Sequence, residues 1–103
     1  MIFSFKMKLK PGNREEYKRR HQNIWPELEK LLSNSGIREY SIWLDQETDT
    51  LFAIQQLPDD FDNKELASNH LMKKWWKYME DIMETNEDSS PVVVPLEEMY
   101  YLK

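Results

Sequence analysis

At 103 residues the chain has room for one domain, residues 1–103, around one core, and its 19 acidic against 14 basic side chains give a formal net charge of -5. Lys and Arg are interspersed with Glu and Asp, which argues against a nucleic-acid surface, and the absence of Cys excludes disulfides, thiolate catalysis and Cys-based metal sites. No run approaches the ~20 apolar residues of a membrane helix and the first residues lack an export-signal pattern, so no membrane role is expected and the cytoplasm is the expected location.

In residues 2–9, Phe3, Phe5, Met7 and Leu9 alternate with Ser4, Lys6 and Lys8, the period-two mark of a strand with one buried face. Pro11-Gly12-Asn13 reads as a turn, with Asn13 as helix cap and Glu15-Glu16 in the first turn, where they complement the helix dipole. The helix then runs through His21. Pro26 forces a kink or restart, because inside a helix it removes a backbone donor and clashes one turn back. Asn23 is the expected cap of the second segment, whose buried side carries Leu28, Leu31 and Leu32 and which Gly36 ends.

Residues 37–44 read as a second strand, with Tyr40, Ile42 and Leu44 on one face and Ser41 and Trp43 on the other. Residues 51–57 form a third, joined by a connection short enough for an antiparallel hairpin. A short helical stretch over 61–67 leads to a cap at Ser68 or Asn69. Met72, Trp75, Trp76, Met79, Ile82 and Met83 then recur at helical spacing, which predicts a major helix through residue 83. Residues 85–91 are polar and predict an exposed loop, and 96–102 read as the last strand. The order β-α-β-β-α-β predicts an α+β, ferredoxin-like subunit with an antiparallel sheet. Its uncovered face, carrying Ile2 and Trp43, predicts pairing with a second copy.

A lean 40% hydrophobic content with four Trp and five Tyr means that a few large rings supply much of the buried area. His21 lies one turn after Tyr17, so both point the same way, and Trp25 and Leu28 extend that inward stripe. An imidazole among rings is either an ordinary core residue or a proton carrier near neutral pH, and the pattern leaves both open. His70 sits in a polar neighbourhood. No second ligand lies one turn from His21 on its own face, so no metal site is expected. Trp75 and Trp76 point about 100° apart on a helix and cannot share one narrow seam, so one of them should border a cleft or subunit contact. Flat aromatic faces suit the C–H bonds of a sugar. Lys18-Arg19-Arg20 reads as a solvated helix face paired with Glu15 and Glu16. With only Gly12 and Gly36, no Gly-rich phosphate loop can form.

The segments Tyr17-Lys18-Arg19-Arg20-His21, Ile24-Trp25-Pro26-Glu27-Leu28, Tyr40-Ser41-Ile42-Trp43-Leu44-Asp45, Leu51-Phe52-Ala53 and Trp75-Trp76-Lys77-Tyr78-Met79 together resemble the L-rhamnose mutarotase family. The likeness runs nearly end to end and is weakest at Gln22-Asn23, 59–69 and 85–95. It implies a homodimeric α/β barrel that interconverts the α and β anomers of L-rhamnose without a cofactor, with His21 as proton donor and Tyr17, Tyr40, Trp75 and Trp76 contacting the sugar. Two other readings suit an aromatic pocket on this architecture. One is a dimeric-barrel monooxygenase for an aromatic or haem-like substrate, and the other a sugar-binding module without catalysis.

Overall fold

Alternation in the first residues becomes β1 (Ile2–Lys8), followed by α1 (Arg14–Gln22), α2 (Pro26–Asn34), β2 (Arg38–Asp45), β3 (Thr50–Gln56), α3 (Asn63–Ser68), α4 (His70–Met79) and β4 (Val94–Pro95). This is a computed structural model describing residues 1–103. It keeps the β-α-β-β-α-β order, with two helices at each α position. The four strands make one antiparallel sheet in the order β2-β3-β1-β4. Phe5, Met7, Leu9, Leu51 and Ala53 project from its inner face into a core completed by Tyr17, Leu28, Met72, Trp75 and Met79. The opposite face is bare: Trp43, Phe52, Lys6 and Val94 lie side by side across the four strands, and Trp43 is 66% exposed. No helix is long and apolar enough to cross a membrane.

Pro26 does end one helix and start another. Trp25 takes the extended conformation that a following proline imposes, and Pro26 occupies the first turn, where its missing N–H would have had no partner. Asn23 does not cap this second helix as expected. It closes α1 instead, its amide donating to the Arg19 carbonyl at 2.8 Å. Asn13 stands at the head of α1, but its side chain donates back to the Lys10 and Pro11 carbonyls and leaves the helix uncapped. At the other end of α2, Gly36 adopts φ +95°. The Gly36 N–H donates to Ser33 O at 3.0 Å and the Ile37 N–H to Leu32 O at 3.3 Å, the paired bonds of a Schellman ending.

Two further expectations are corrected. The major helix stops at Met79, four residues early, and Ile82 and Met83 are buried beyond its end. There the backbone turns to meet the end of β1: Lys10 N–H donates to Ile82 O at 3.0 Å and Glu84 N–H to Lys8 O at 2.9 Å. The helical spacing of the two side chains survives because both still face the core. The last strand is Val94–Pro95 rather than 96–102. After the Leu96 N–H bonds Ser4 O at 2.8 Å, the alternating residues meet no neighbouring strand, and Met99, Tyr100 and Leu102 stand about four-fifths exposed (84%, 79% and 78%). The polar segment 85–91 is the loop expected, exposed at Asn86, Glu87 and Asp88 and bridged between Thr85 and Pro91, and it buries only Ser89, whose hydroxyl donates to Glu80 at 2.5 Å.

Gly36 is required twice, by its left-handed backbone and because a Cβ there would come within 2.7 Å of the Pro58 ring. Gly36→Ala is expected to lower unfolding stability by about 1–3 kcal/mol in urea titration. An unchanged midpoint would show that α2 can end without this geometry.

Candidate active site

Successive turns of α1 set Tyr17, Arg20 and His21 on one side, and Ile24, just past the helix end, packs against the same core. Tyr17 is 8% exposed and His21 half-buried, and their rings stack at 4.3 Å. The imidazole edge meets Trp75 at 5.5 Å, and Trp75 in turn meets Trp25 at 5.1 Å and Tyr78 at 5.6 Å. His21 Nδ1 lies 3.0 Å from the Tyr17 carbonyl oxygen. A carbonyl only accepts, so Nδ1 carries the proton and the neutral ring keeps its lone pair on Nε2. Desolvation pushes the His21 pKa below its ordinary value, opposed in part by the bond to Tyr17 O. The resting ring near pH 7 is therefore a neutral base.

Tyr17, His21, Tyr40, Trp75 and Trp76 all border one cavity of about 1550 Å³ between the helices and the inner sheet face. That volume exceeds the ~300–1,000 Å³ of ordinary small-molecule sites, so a monosaccharide fits with room left over. Trp75 is nearly buried while Trp76 is only partly so, as their diverging directions require. Burial raises the Tyr17 phenol well above its usual range, with nearby Tyr40 adding to the shift. Tyr40 is pushed up to about 12, desolvation outweighing the lowering effect of a hydrogen bond from Gln55. Both phenols stay protonated at neutral pH and can donate to sugar oxygens. His70 is exposed at the start of α4, outside this cavity. No three His, Asp or Glu side chains gather as a metal site.

Arg20 corrects the reading of 18–20 as a solvated face. It is 8% exposed, with Nε on Glu16 at 2.7 Å, Nη1 on the Tyr78 carbonyl at 2.7 Å and on Asp81 at 2.9 Å, and Nη2 on Asp81 at 3.1 Å. Its guanidinium also stacks 4.4 Å from the centre of the Tyr78 ring. Arg19, with Arg20 adding to it, holds the Glu16 carboxyl down to about 2. Sequence spacing could have exposed this role, since Arg20 lies three residues after Tyr17 and four before Ile24, on the inward stripe. Trp25 continues the inward stripe as its spacing predicts, and Tyr78, which the sequence pattern does not single out, joins it by packing at 5.5 Å from the Trp25 ring. Gln55 interrupts the inward row Leu51, Ala53, Leu57, and a polar residue in an apolar row was the available signal.

The sequence model of L-rhamnose mutarotase matches residues 3–102. The chain belongs to the L-rhamnose mutarotase family. An L-rhamnose mutarotase of Formosa agariphila is 50% identical over 100 residues, covering 97% of this chain and 96% of the relative. One of Flavobacterium johnsoniae is 54% identical over 99 residues, covering 96% and 92%. The crystal structure of the Formosa agariphila L-rhamnose mutarotase superposes with a TM-score of 0.92, covering 100% of this chain and 99% of that one. Membership makes the chain an isomerase that exchanges sugar anomers, and a base beside donor phenols in an aromatic hollow is the equipment such a reaction uses.

The Arg20 guanidinium fixes α1 to the end of α4 and so sets the His21–Trp75 contact. Replacing it by Arg20→Met keeps the stem but orphans the Tyr78 carbonyl. A stability loss of about 1.5–3 kcal/mol is expected by thermal or urea unfolding. A loss within 0.5 kcal/mol, about that of an ordinary surface substitution, would refute the clamp.

Proposed function

We propose that His21 carries the proton in the anomer exchange this chain catalyses, the interconversion of α- and β-L-rhamnose. The observation that carries the assignment is the bond from His21 Nδ1–H to Tyr17 O, which leaves the Nε2 lone pair on a ring that borders the cavity. Nε2 takes the proton from the anomeric hydroxyl. The O1 electrons form the C1=O1 bond, the bond from C1 to the ring oxygen breaks, and its electron pair goes to the ring oxygen. That oxygen receives a proton from the imidazolium, directly or through water or a tyrosine hydroxyl. Rotation about C1–C2 and the reverse sequence close the ring on the other face. His21 is thus base first and proton donor second, and the inferred order follows from its lowered pKa.

Tyr17 and Tyr40 are the hydroxyl partners of the sugar in this reading, and Trp75 and Trp76 the flat walls for its C–H faces and 6-methyl group. The reaction already proceeds in water, so proton carriage and orientation are a sufficient mechanism, and no step calls on a cofactor. The 103 residues act as one domain, and the setting we infer is the cytoplasm, with the sugar rather than nucleic acid or membrane as partner.

We also infer a homodimer, the dimeric α/β barrel, in which a second copy covers the bare sheet face. Trp43, Ile54, Phe52 and Ile2 on that face are 66%, 43%, 37% and 53% exposed, and the tail after β4 adds exposed Met99, Tyr100 and Leu102. Contiguous apolar area of this kind is uncommon on a monomer. Light scattering should give twice the chain mass for the unaltered protein and a single chain mass for the double variant Trp43→Lys, Ile54→Lys. A monomeric unaltered protein ends this part of the proposal.

His21→Ala is expected to keep the fold and lower L-rhamnose anomer exchange, read by saturation-transfer NMR, by about 10²- to 10⁴-fold. Full exchange in that variant would remove His21 from the mechanism. The kcat/KM of the unaltered chain should hold as pH falls through about 6.5 and decline only below it, as Nε2 takes a proton. The unfolded chain binds that proton at the ordinary histidine value and the folded chain only at lower pH, so acid also favours unfolding. A decline centred above the ordinary histidine value would contradict a neutral resting base.

A further inference from the structure

The loop after α4 is held more tightly than an exposed polar segment needs to be. The Val92 N–H bonds Glu84 O at 3.2 Å and the Asn86 N–H bonds Ser90 O at 2.7 Å, so the chain doubles back on itself between them. At the tip Ser89 takes a backbone φ of +71°, a left-handed conformation uncommon for a residue other than glycine. Its buried hydroxyl donates to Glu80 Oε2 at 2.5 Å, and Lys77 holds Glu80 Oε1 at 2.7 Å. Glu80 stands one turn after Trp76 on the same flank of α4, so this bond sets the loop tip against the Trp76 flank. Asp88, Ser89 and Ser90 border the cavity there, as Trp76 does.

In the proposed reaction Tyr17 and Tyr40 donate to the sugar, and His21 Nε2 is engaged at the anomeric hydroxyl. The other sugar hydroxyls need acceptors, because one enclosed without a partner loses the bond it made to water. Four carboxylates border the cavity, those of Glu15, Glu29, Glu39 and Asp88, and only Asp88 is fixed by its neighbours. Its Oδ1 accepts from the Ser90 N–H at 3.0 Å and from the Ser90 hydroxyl, and Asn86 Nδ2 steadies that hydroxyl at 3.0 Å. These bonds hold the Asp88 carboxyl below its usual value, so it is a carboxylate at neutral pH. No other side chain bonds Oδ2, which leaves one charged acceptor, already oriented, on an exposed residue at the cavity rim.

We propose that Asp88 is a specificity-determining residue of the sugar site: its Oδ2 accepts a hydrogen bond from one of the hydroxyls at O2, O3 or O4 of L-rhamnose. The assignment rests on the proposed reaction and adds to it an acceptor for the unreactive side of the sugar. None of these hydroxyls gains or loses a proton in the anomer exchange. The bond therefore forms alike in the bound sugar and in the transition state, and it acts on KM rather than on kcat.

The test follows L-rhamnose anomer exchange by NMR against sugar concentration in the full chain and in Asp88→Asn, which keeps the size and an oxygen for Ser90 but puts a donor in place of Oδ2. KM should rise about tenfold or more, the equivalent of one charge-assisted hydrogen bond, with kcat within about twofold. The 2-deoxy, 3-deoxy and 4-deoxy forms of the sugar supply a readout that a merely loosened loop would not move. One of them should show a similar rise in KM with the unaltered chain, and for that sugar Asp88→Asn should add little, because the hydroxyl it acts on is gone. Asp88→Ala replaces Asp88→Asn if that variant unfolds by circular dichroism, and loss of fold in both overturns the proposal. An unchanged KM, a loss confined to kcat, or an equal rise for L-rhamnose and all three deoxy sugars overturns it too. Absence of exchange in the unaltered chain would instead bring down the mutarotase reading beneath it.

Discussion

A single desolvated cation decides how the two helical layers meet. Arg20 is the one charged side chain in the core of the α1–α4 contact, and its neighbours divide sharply in what they contribute. Glu16 and Asp81 leave 34% and 63% of their side chains in water, so their Coulombic attraction is screened and weak as a source of stability. The Tyr78 carbonyl is different. It belongs to the last turn of α4, where backbone oxygens have no helical partner, and leaving one unpaired against the core costs about 1–3 kcal/mol. One guanidinium therefore satisfies the end of α4 from the flank of α1, and the Tyr78 ring stacked on it extends the joint. The carboxylates fix its direction, and the carbonyl makes it necessary.

That joint carries the chemistry one residue away. With α1 and α4 locked together, the rings of Tyr17, His21, Trp75 and Trp25 form a continuous series of contacts, each between 4.3 and 5.5 Å. The packing excludes water from one side of the imidazole and lowers its proton affinity, while the Tyr17 carbonyl fixes which nitrogen bears the hydrogen. Both effects act in the same direction. In the proposed mechanism this neutral Nε2 is the base, and a proton it acquired would be held less firmly than on an imidazole in water. For a reaction that removes one proton and restores another, weak retention is an advantage, because the same group must finish each half-cycle as it began.

Much of this was legible in the chain. Period-two alternation marked β1, β2 and β3, Pro26 marked the helix break, and Gly36 marked its end, because in each case a local rule leaves few alternatives. The five residues expected at the site, from helical spacing, strand alternation and resemblance, all border one cavity. The departures share a cause. Arg20 shares its charge with its neighbours Lys18 and Arg19, and only its position on the inward stripe sets it apart. The cap at Asn23, the helix through Ile82 and Met83, and a strand over 96–102 each depended on partners distant in sequence. Side-chain spacing reports which face is buried, and in Ile82 and Met83 it reported that correctly after the helix had ended. It cannot report where a backbone will find its hydrogen bonds, and the tail after β4 shows the converse, a strand-like pattern with no strand beside it.

The cavity has two walls built on different principles. The helical wall sets the base by ring packing and one buried cation, so its precision derives from close contact among rigid groups. The sheet wall is built by register: two residues of β2, Glu39 and Tyr40, face the single residue Gln55 of β3, and beyond this bulge Tyr40, Ile42 and Leu44 border the cavity. In the proposed mechanism, substitution on the helical wall alters the protonation of His21 and with it the chemical step. The two walls meet at their phenols, where Tyr40 adds to the upward shift of Tyr17, the ring stacked on the imidazole. A reaction that also runs in water asks only a modest rate of such a site, so a single imidazole held by ring packing suffices for it.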